Sequence, residues 1–299
     1  MSTALFAALS IVCLVVAPRP LASANWATRS PRAGLLAWYA LGAAGLLSLL
    51  GTGLSMAFVH HDTSLRTAMR AFLSGVCHHH LLASLGVREA VGLTLATDVA
   101  LVVLGGLVTT SASTVLRRRR HRMVLNVIST SAPGAEVLEH PAIAAYCLPG
   151  RRPRIVVSRG TIDLLDPAEL GAVLAHERGH AEGHHGLVLL PFASLLQVLS
   201  FLPYAALAPR ATALLVELAA DDAAARTSDR HTLASALLSM ATAGTNRAPR
   251  CALGASEAAV GLRVHRLLGR DRPSMPHLAS SAACSVMVLL APLACAVVR

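Results

Sequence analysis

Long uncharged apolar runs, separated by short segments rich in arginine, set the pattern of this chain. Residues 33–59 and 91–116 each hold the roughly 20 apolar positions a helix needs to cross about 30 Å of hydrocarbon, and residues 280–298 form a similar run. Residues 3–17 are short for a span but uncharged. A retained first span is favoured there over a signal peptide, because Arg19 lies on the wrong side of the apolar core. Residues 187–208 are long enough to cross, yet Pro191 and Pro203 interrupt them. After residue 122 the pattern shortens. MVLNVI, IAAYCL and RIVVS, bounded by Pro and Gly, read as strands. From Asp166 the period becomes helical, and Asp166-Pro167-Ala168-Glu169 combines an N-cap, a first-turn proline and a capping-box glutamate. Residues 228–243 and 255–268 read as two more amphipathic helices. The second bears Arg263, His265 and Arg266, and is expected to pack on its neighbours or face anionic lipid.

The composition agrees with this pattern. The chain has 299 residues, 54% of them hydrophobic, and a net charge of +10 carried by arginine alone, lysine being absent. These arginines cluster beside apolar runs and form no stripe interleaved with aromatics, so direct nucleic-acid binding is not expected. Six scattered cysteines without a CxxC pair give no disulfide framework or cysteine zinc site. RRRRHR at residues 117–122 is the strongest cytoplasmic anchor. The expected fold is an α-helical membrane protein with about four transmembrane helices and a cytoplasmic α+β domain. Residues 1–122 would form the membrane part, 123–277 the cytoplasmic domain and 278–299 the last span, in a bacterial plasma membrane. The outer loop holding His60, His61, Cys77, His78, His79 and His80 reads as solvated, since nothing in it fixes a coordination geometry.

AHERGHAEGHH, residues 175–185, carries the chemistry. On one helix, His176 and His180 stand a turn apart and can grip one zinc ion, with Glu177 beside them as general base. A metzincin would place its third histidine at residue 186, which is Gly186, so that class is rejected. His184 shares the helical face one turn on and is expected to line the site. Glu217 and Asp221, four apart in VELAADDAAAR, offer a carboxylate from a second helix.

HExxH followed by ExxxD resembles the gluzincin membrane peptidases, both the HtpX/CAAX-protease group and the BlaR/MecR-type receptor peptidases. The likeness covers residues 152–226, from PRIVVSRGTIDLLDPAELGAVLAHERGH to VELAADDAAAR. Three preceding spans, an inner catalytic segment and a last span fit the BlaR/MecR layout better. The resemblance implies His176, His180 and Glu217 as ligands of one zinc ion, Glu177 as general base, and Asp221 as the residue that orients a ligand histidine. It implies a BlaI-type cytoplasmic repressor as substrate, the bilayer as a second partner, and leaves open a homodimer. Penicillin-sensing members carry an outer sensor domain with serine and lysine chemistry. With no lysine here, induction by a β-lactam is not expected. An HtpX-like quality-control protease and a non-catalytic signalling scaffold are the competing readings.

One constraint is topological. If residues 187–208 crossed the bilayer once, His180 and Glu217 would face opposite compartments and could not share an ion. The segment is therefore expected to return to its own side as a re-entrant or interfacial hairpin reaching about 15 Å. RIVVS, residues 154–158, is expected to present an edge for an extended substrate.

Overall fold

The computed structural model describes residues 2–58, 86–150, 152–245 and 250–269. His60, His61, Cys77, His78, His79 and His80, and the apolar run at 280–298, lie outside the described residues. The N-terminal helices are α1 (Ser2–Ile11), α2 (Pro18–Ala22), α3 (Asn25–Arg29), α4 (Pro31–Phe58) and α5 (Val87–Ile128). Four strands follow: β1 (Ser129–Ala132), β2 (Ala135–Leu138), β3 (Ala145–Leu148) and β4 (Arg154–Ser158). The remaining helices are α6 (Arg159–Leu164), α7 (Pro167–Glu182), α8 (His185–Val188), α9 (Leu190–Leu199), α10 (Pro203–Ala224), α11 (Arg230–Thr245) and α12 (Arg250–Leu268). The chain divides into two compact units, which among the described residues are 2–109 with 192–211, and 110–191 with 212–269.

The first unit is apolar and helical. Its opening segment is longer than residues 3–17, because α1 and α2 join through a π turn into one stretch of 20 residues, Thr3–Ala22. Ala17 N–H reaches back to the Val12 carbonyl at 2.8 Å, and Pro18 follows where the missing N–H is tolerated. Thr3–Ala22, Pro31–Phe58 and Val87–Ile128 are each long and apolar enough to cross a membrane. α4 and α5 touch through backbone: a methyl group on Gly53 would lie 2.7 Å from the Gly92 carbonyl oxygen. Small residues at such contacts are how helices approach without a hydrophobic drive. Ser55 Oγ donates to Thr3 Oγ1 at 2.9 Å, satisfying a buried hydroxyl between helices. Within the proline-interrupted stretch, residues 192–211 belong to this same unit and form most of α9 and the start of α10. Phe192 packs on Tyr39 with ring centroids 4.8 Å apart, and Tyr204 Oη donates to the Trp38 carbonyl at 2.8 Å.

The second unit holds the sheet, in the order β1-β2-β4-β3. β1 and β2 form an antiparallel hairpin through Pro133-Gly134, β2 runs parallel to β4, and β3 is antiparallel to β4. MVLNVI is not a strand: residues 123–128 are the last turns of α5, which runs unbroken through the boundary expected at 122. A six-residue apolar run does not distinguish strand from helix by period alone, and here the helix already under way continues. Leu125 from those turns is buried with Leu148 and Val156, closing one face of the sheet. RIVVS forms β4 as expected, but in the interior, paired on both sides. The edges lie at β1 and β3.

Candidate metal centre

α7 begins where the sequence places it. Asp166 accepts from the N–H groups of Ala168 and Glu169, both at 2.8 Å, and Glu169 returns a bond to the Asp166 N–H. One side of α7 is anchored by apolar packing: Ala172 and Ala175 lie with Ala224, Leu233, Ala234 and Leu267, and Val173 with Leu165 and Ala236. Gly179 admits α10, since a methyl group there would lie 3.0 Å from Ala223 Cβ. That close approach gives the mid-helix glycine a reason to exist.

The approach brings His176, His180 and Glu217 together, with one ligand atom from each within 4.8 Å of the others. The Nε2 atoms of His176 and His180 are 3.0 Å apart, and the Glu217 carboxylate oxygens lie 3.4 Å from each ring. A tetrahedral ion with bonds of about 2.0–2.1 Å holds its ligand atoms about 3.3 Å apart, so the donor set fits a zinc-sized cation. Asp221, buried behind His176, places Oδ1 2.9 Å from Nδ1, close enough for an ion pair though off the line of a good hydrogen bond. Glu177 is buried on the same helix, and its carboxyl faces the backbone N–H of Cys147 on β3.

Two residues join the site that periodicity did not select. Arg263, on the helix expected to pack on its neighbours or face anionic lipid, is buried. It donates from Nε and Nη2 to the two Asp221 oxygens at 2.8 and 2.7 Å, while Nη1 lies 3.0 Å from Glu217. The signal available was charge: two carboxylates on one helix face need a cation when buried. Beside it, Arg266 pairs with Asp222 at 2.7 Å, so α12 turns its arginines toward α10 rather than toward lipid. The second newcomer is His185. His184 does not line the site, because α7 ends at Glu182 and the helical period stops with it. His184 is exposed in a left-handed turn, φ 48°, and it is the next residue, His185, that is buried against His180.

Electrostatics follow from these contacts. Burial lowers the His176 pKa, but the close carboxylates of Asp221 and Glu217 more than offset this and raise it to about 9 in the metal-free site. Burial opposes ionisation of Glu217 and Asp221. Both nevertheless stay below the usual carboxylate range, Glu217 through the two histidines and Arg263, Asp221 through Arg263 and His176. Glu177 is pushed up by burial. The centre opens on a cavity of about 520 Å³ whose apolar side is formed by Val173, Leu189, Val216, Leu233, Leu237 and Met240.

Two histidines and a carboxylate stand around one point and could hold a metal ion, with a buried glutamate alongside and a cavity in front. The sequence profile of peptidase family M48 matches residues 111–263, slightly more than half of the chain. The chain belongs to peptidase family M48, and metallopeptidase activity is what that family implies. Among curated proteins, the plastoglobule-localized metallopeptidase 48 of Arabidopsis thaliana chloroplasts is 46% identical over 72 residues, 23% of this chain. The match spans about a fifth of that relative's length, 21%. No solved structure matches.

Proposed function

We propose that this chain is an integral-membrane zinc endopeptidase acting on extended protein segments on the cytoplasmic side. The observation that supports it most is the convergence of His176, His180 and Glu217 from two helices at zinc-ligand spacing. In this reading residues 187–208 return the chain to its own side so that Glu217 meets the histidines, and the ten-residue α9 is about 15 Å long. Bound there, zinc supplies Lewis acidity that activates water and polarises a carbonyl. Glu177 takes the proton from the attacking water and delivers it to the leaving amine nitrogen. A carboxyl raised by burial suits that exchange near neutral pH. The outer edge of β3, with Ala145, Tyr146 and Cys147 lining the cavity, replaces β4 as the strand on which a substrate extends. The apolar cavity wall favours a bulky aliphatic or aromatic side chain next to the cleaved bond.

The regulatory form of this reading, cleavage of a BlaI-type repressor in a signalling pathway, rests on the apolar helices that precede the catalytic part, a layout like that of BlaR/MecR-type receptors. Purified full-length protein in detergent tests both levels. Glu177→Gln is expected to keep zinc and lose cleavage of a denatured protein substrate, and Glu217→Ala to lose zinc. Cleavage by Glu177→Gln at the wild-type rate would overturn the assigned base. A repressor-type gene beside this one, and its product cut once at a defined bond, would support the regulatory form. Broad cleavage without preference would overturn it.

A further inference from the structure

A ligand imidazole has two nitrogens, and the one turned away from the metal decides how the ring is held. For His176 that partner is Asp221. For His180 it is another imidazole: its Nδ1 lies 2.9 Å from Nδ1 of His185, with the ring planes at 90° and centroids 4.8 Å apart.

The backbone is shaped to make this contact. α7 stops at Gly183, and a methyl group there would lie 2.6 Å from Cδ2 of His185 and closer still to Nε2. His184 then takes φ 48° and ψ 36°, a conformation that costs a non-glycine residue about 1–2 kcal/mol. This reverses the chain and turns His185, five residues beyond His180, back beneath it. Arg118 on α5 secures the turn by donating to the Gly186 carbonyl at 3.2 Å. The result is a residue only 8% exposed.

Proton positions follow from this geometry. With Nε2 of His180 facing the cluster, its Nδ1 carries the hydrogen, so Nδ1 of His185 must accept it. We propose that His185 is a positioning residue, whose Nδ1 accepts a hydrogen bond from His180 and fixes that ligand's tautomer and ring orientation. This rests on the reading of His176, His180 and Glu217 as metal ligands. The two ligand histidines are then backed differently, His176 by an anion and His180 by a neutral acceptor.

The test uses full-length protein in detergent, stripped of metal. Zinc affinity is measured by competition with a chromophoric chelator, and cobalt(II) loading is followed by its visible absorption spectrum. His185→Ala is expected to weaken zinc binding by about 10–100-fold and shift the cobalt bands, with an unchanged far-ultraviolet circular dichroism spectrum. His185→Asn, whose side-chain carbonyl can accept the same hydrogen, is expected to recover most of both. Wild-type affinity and spectrum in His185→Ala would overturn the proposal, as would an Asn variant as impaired as the Ala variant. If wild-type protein itself bound no zinc, the metal centre would fall first and this inference with it.

Discussion

Leu36, Leu101, Leu104 and Val108 of the first unit are each more than half exposed, while Ser48 and Ser55 are almost fully buried. In the second unit the order reverses: Val156, Leu218 and Leu233 are completely buried. Among the described residues its buried charges, Glu177, Asp221 and Arg263, gather around His176 and Glu217. Burial of apolar surface holds the second unit together, as water demands. The first unit presents its apolar surface outward and joins its helices through glycine and hydroxyl contacts, which suits a hydrocarbon surrounding. Substitutions of similar kind should therefore behave differently in the two parts.

The largest effect is expected at Asp221, where burial and charge coincide. Asp221→Ala leaves Arg263 buried without its bidentate partner and His176 without its orienting carboxylate. Removing one member of a buried ion pair costs about 3–5 kcal/mol, so the melting temperature should fall steeply and peptidase activity should vanish. Leu218→Ala on the same helix, a core truncation, is expected to cost about 2–5 kcal/mol. An Asp221 variant that melts like wild type would mean that the centre does not stabilise the second unit.

In the first unit the comparable disruption is overpacking rather than loss. Gly53→Leu forces a side chain between α4 and the backbone of α5 at Gly92, and is expected to cost about 1–3 kcal/mol in detergent unfolding. Zinc binding of the folded fraction should not change, because no metal-centre residue lies in this unit. A Gly53 variant that loses zinc affinity while its helices stay intact would break that separation.

How much of this could be read beforehand depended on whether an interaction was local. The capping box at Asp166 and the HExxH spacing are encoded within a few residues, and the structure shows both as written. The expectation of a hairpin at 187–208 followed from one constraint, that His180 and Glu217 share a side. Arg263 escaped notice because a buried arginine and a surface arginine look alike until the partners 42 residues away are seen. His184 was preferred over His185 by extending a helical period past the point where the helix stops. The β1–β2 hairpin was hidden because STSA has no apolar alternation to reveal it.

pH separates the metal-free from the metal-bound centre. In metal-free protein His176 has a raised pKa of about 9, so it holds a proton that zinc must displace. Below pH 9, zinc affinity should fall about tenfold for each unit of pH, roughly 1.4 kcal/mol per unit. Folding linkage has the opposite sense. The protonated ring stabilises metal-free protein fully below its ordinary value near 6.5, and that contribution is lost as pH rises through about 9. Titrating melting temperature with and without zinc checks both signs. A zinc affinity that does not change between pH 7 and 9 would mean His176 is not protonated in the empty site.

The smallest effect is expected where the two units contrast most directly. Leu104 is 59% exposed on α5, whereas Leu218 is fully buried on α10. Truncating both to alanine removes the same atoms. At Leu218 those atoms leave a cavity; at Leu104 they leave only a groove that detergent or lipid can fill. Leu104→Ala should therefore stay within about 0.5 kcal/mol of wild type in thermal unfolding, several-fold below Leu218→Ala. A cost at Leu104 equal to that at Leu218 would mean that residues 87–109 pack against protein in the working assembly. The outward apolar face of the first unit would then be an interface with a partner rather than a surface for lipid.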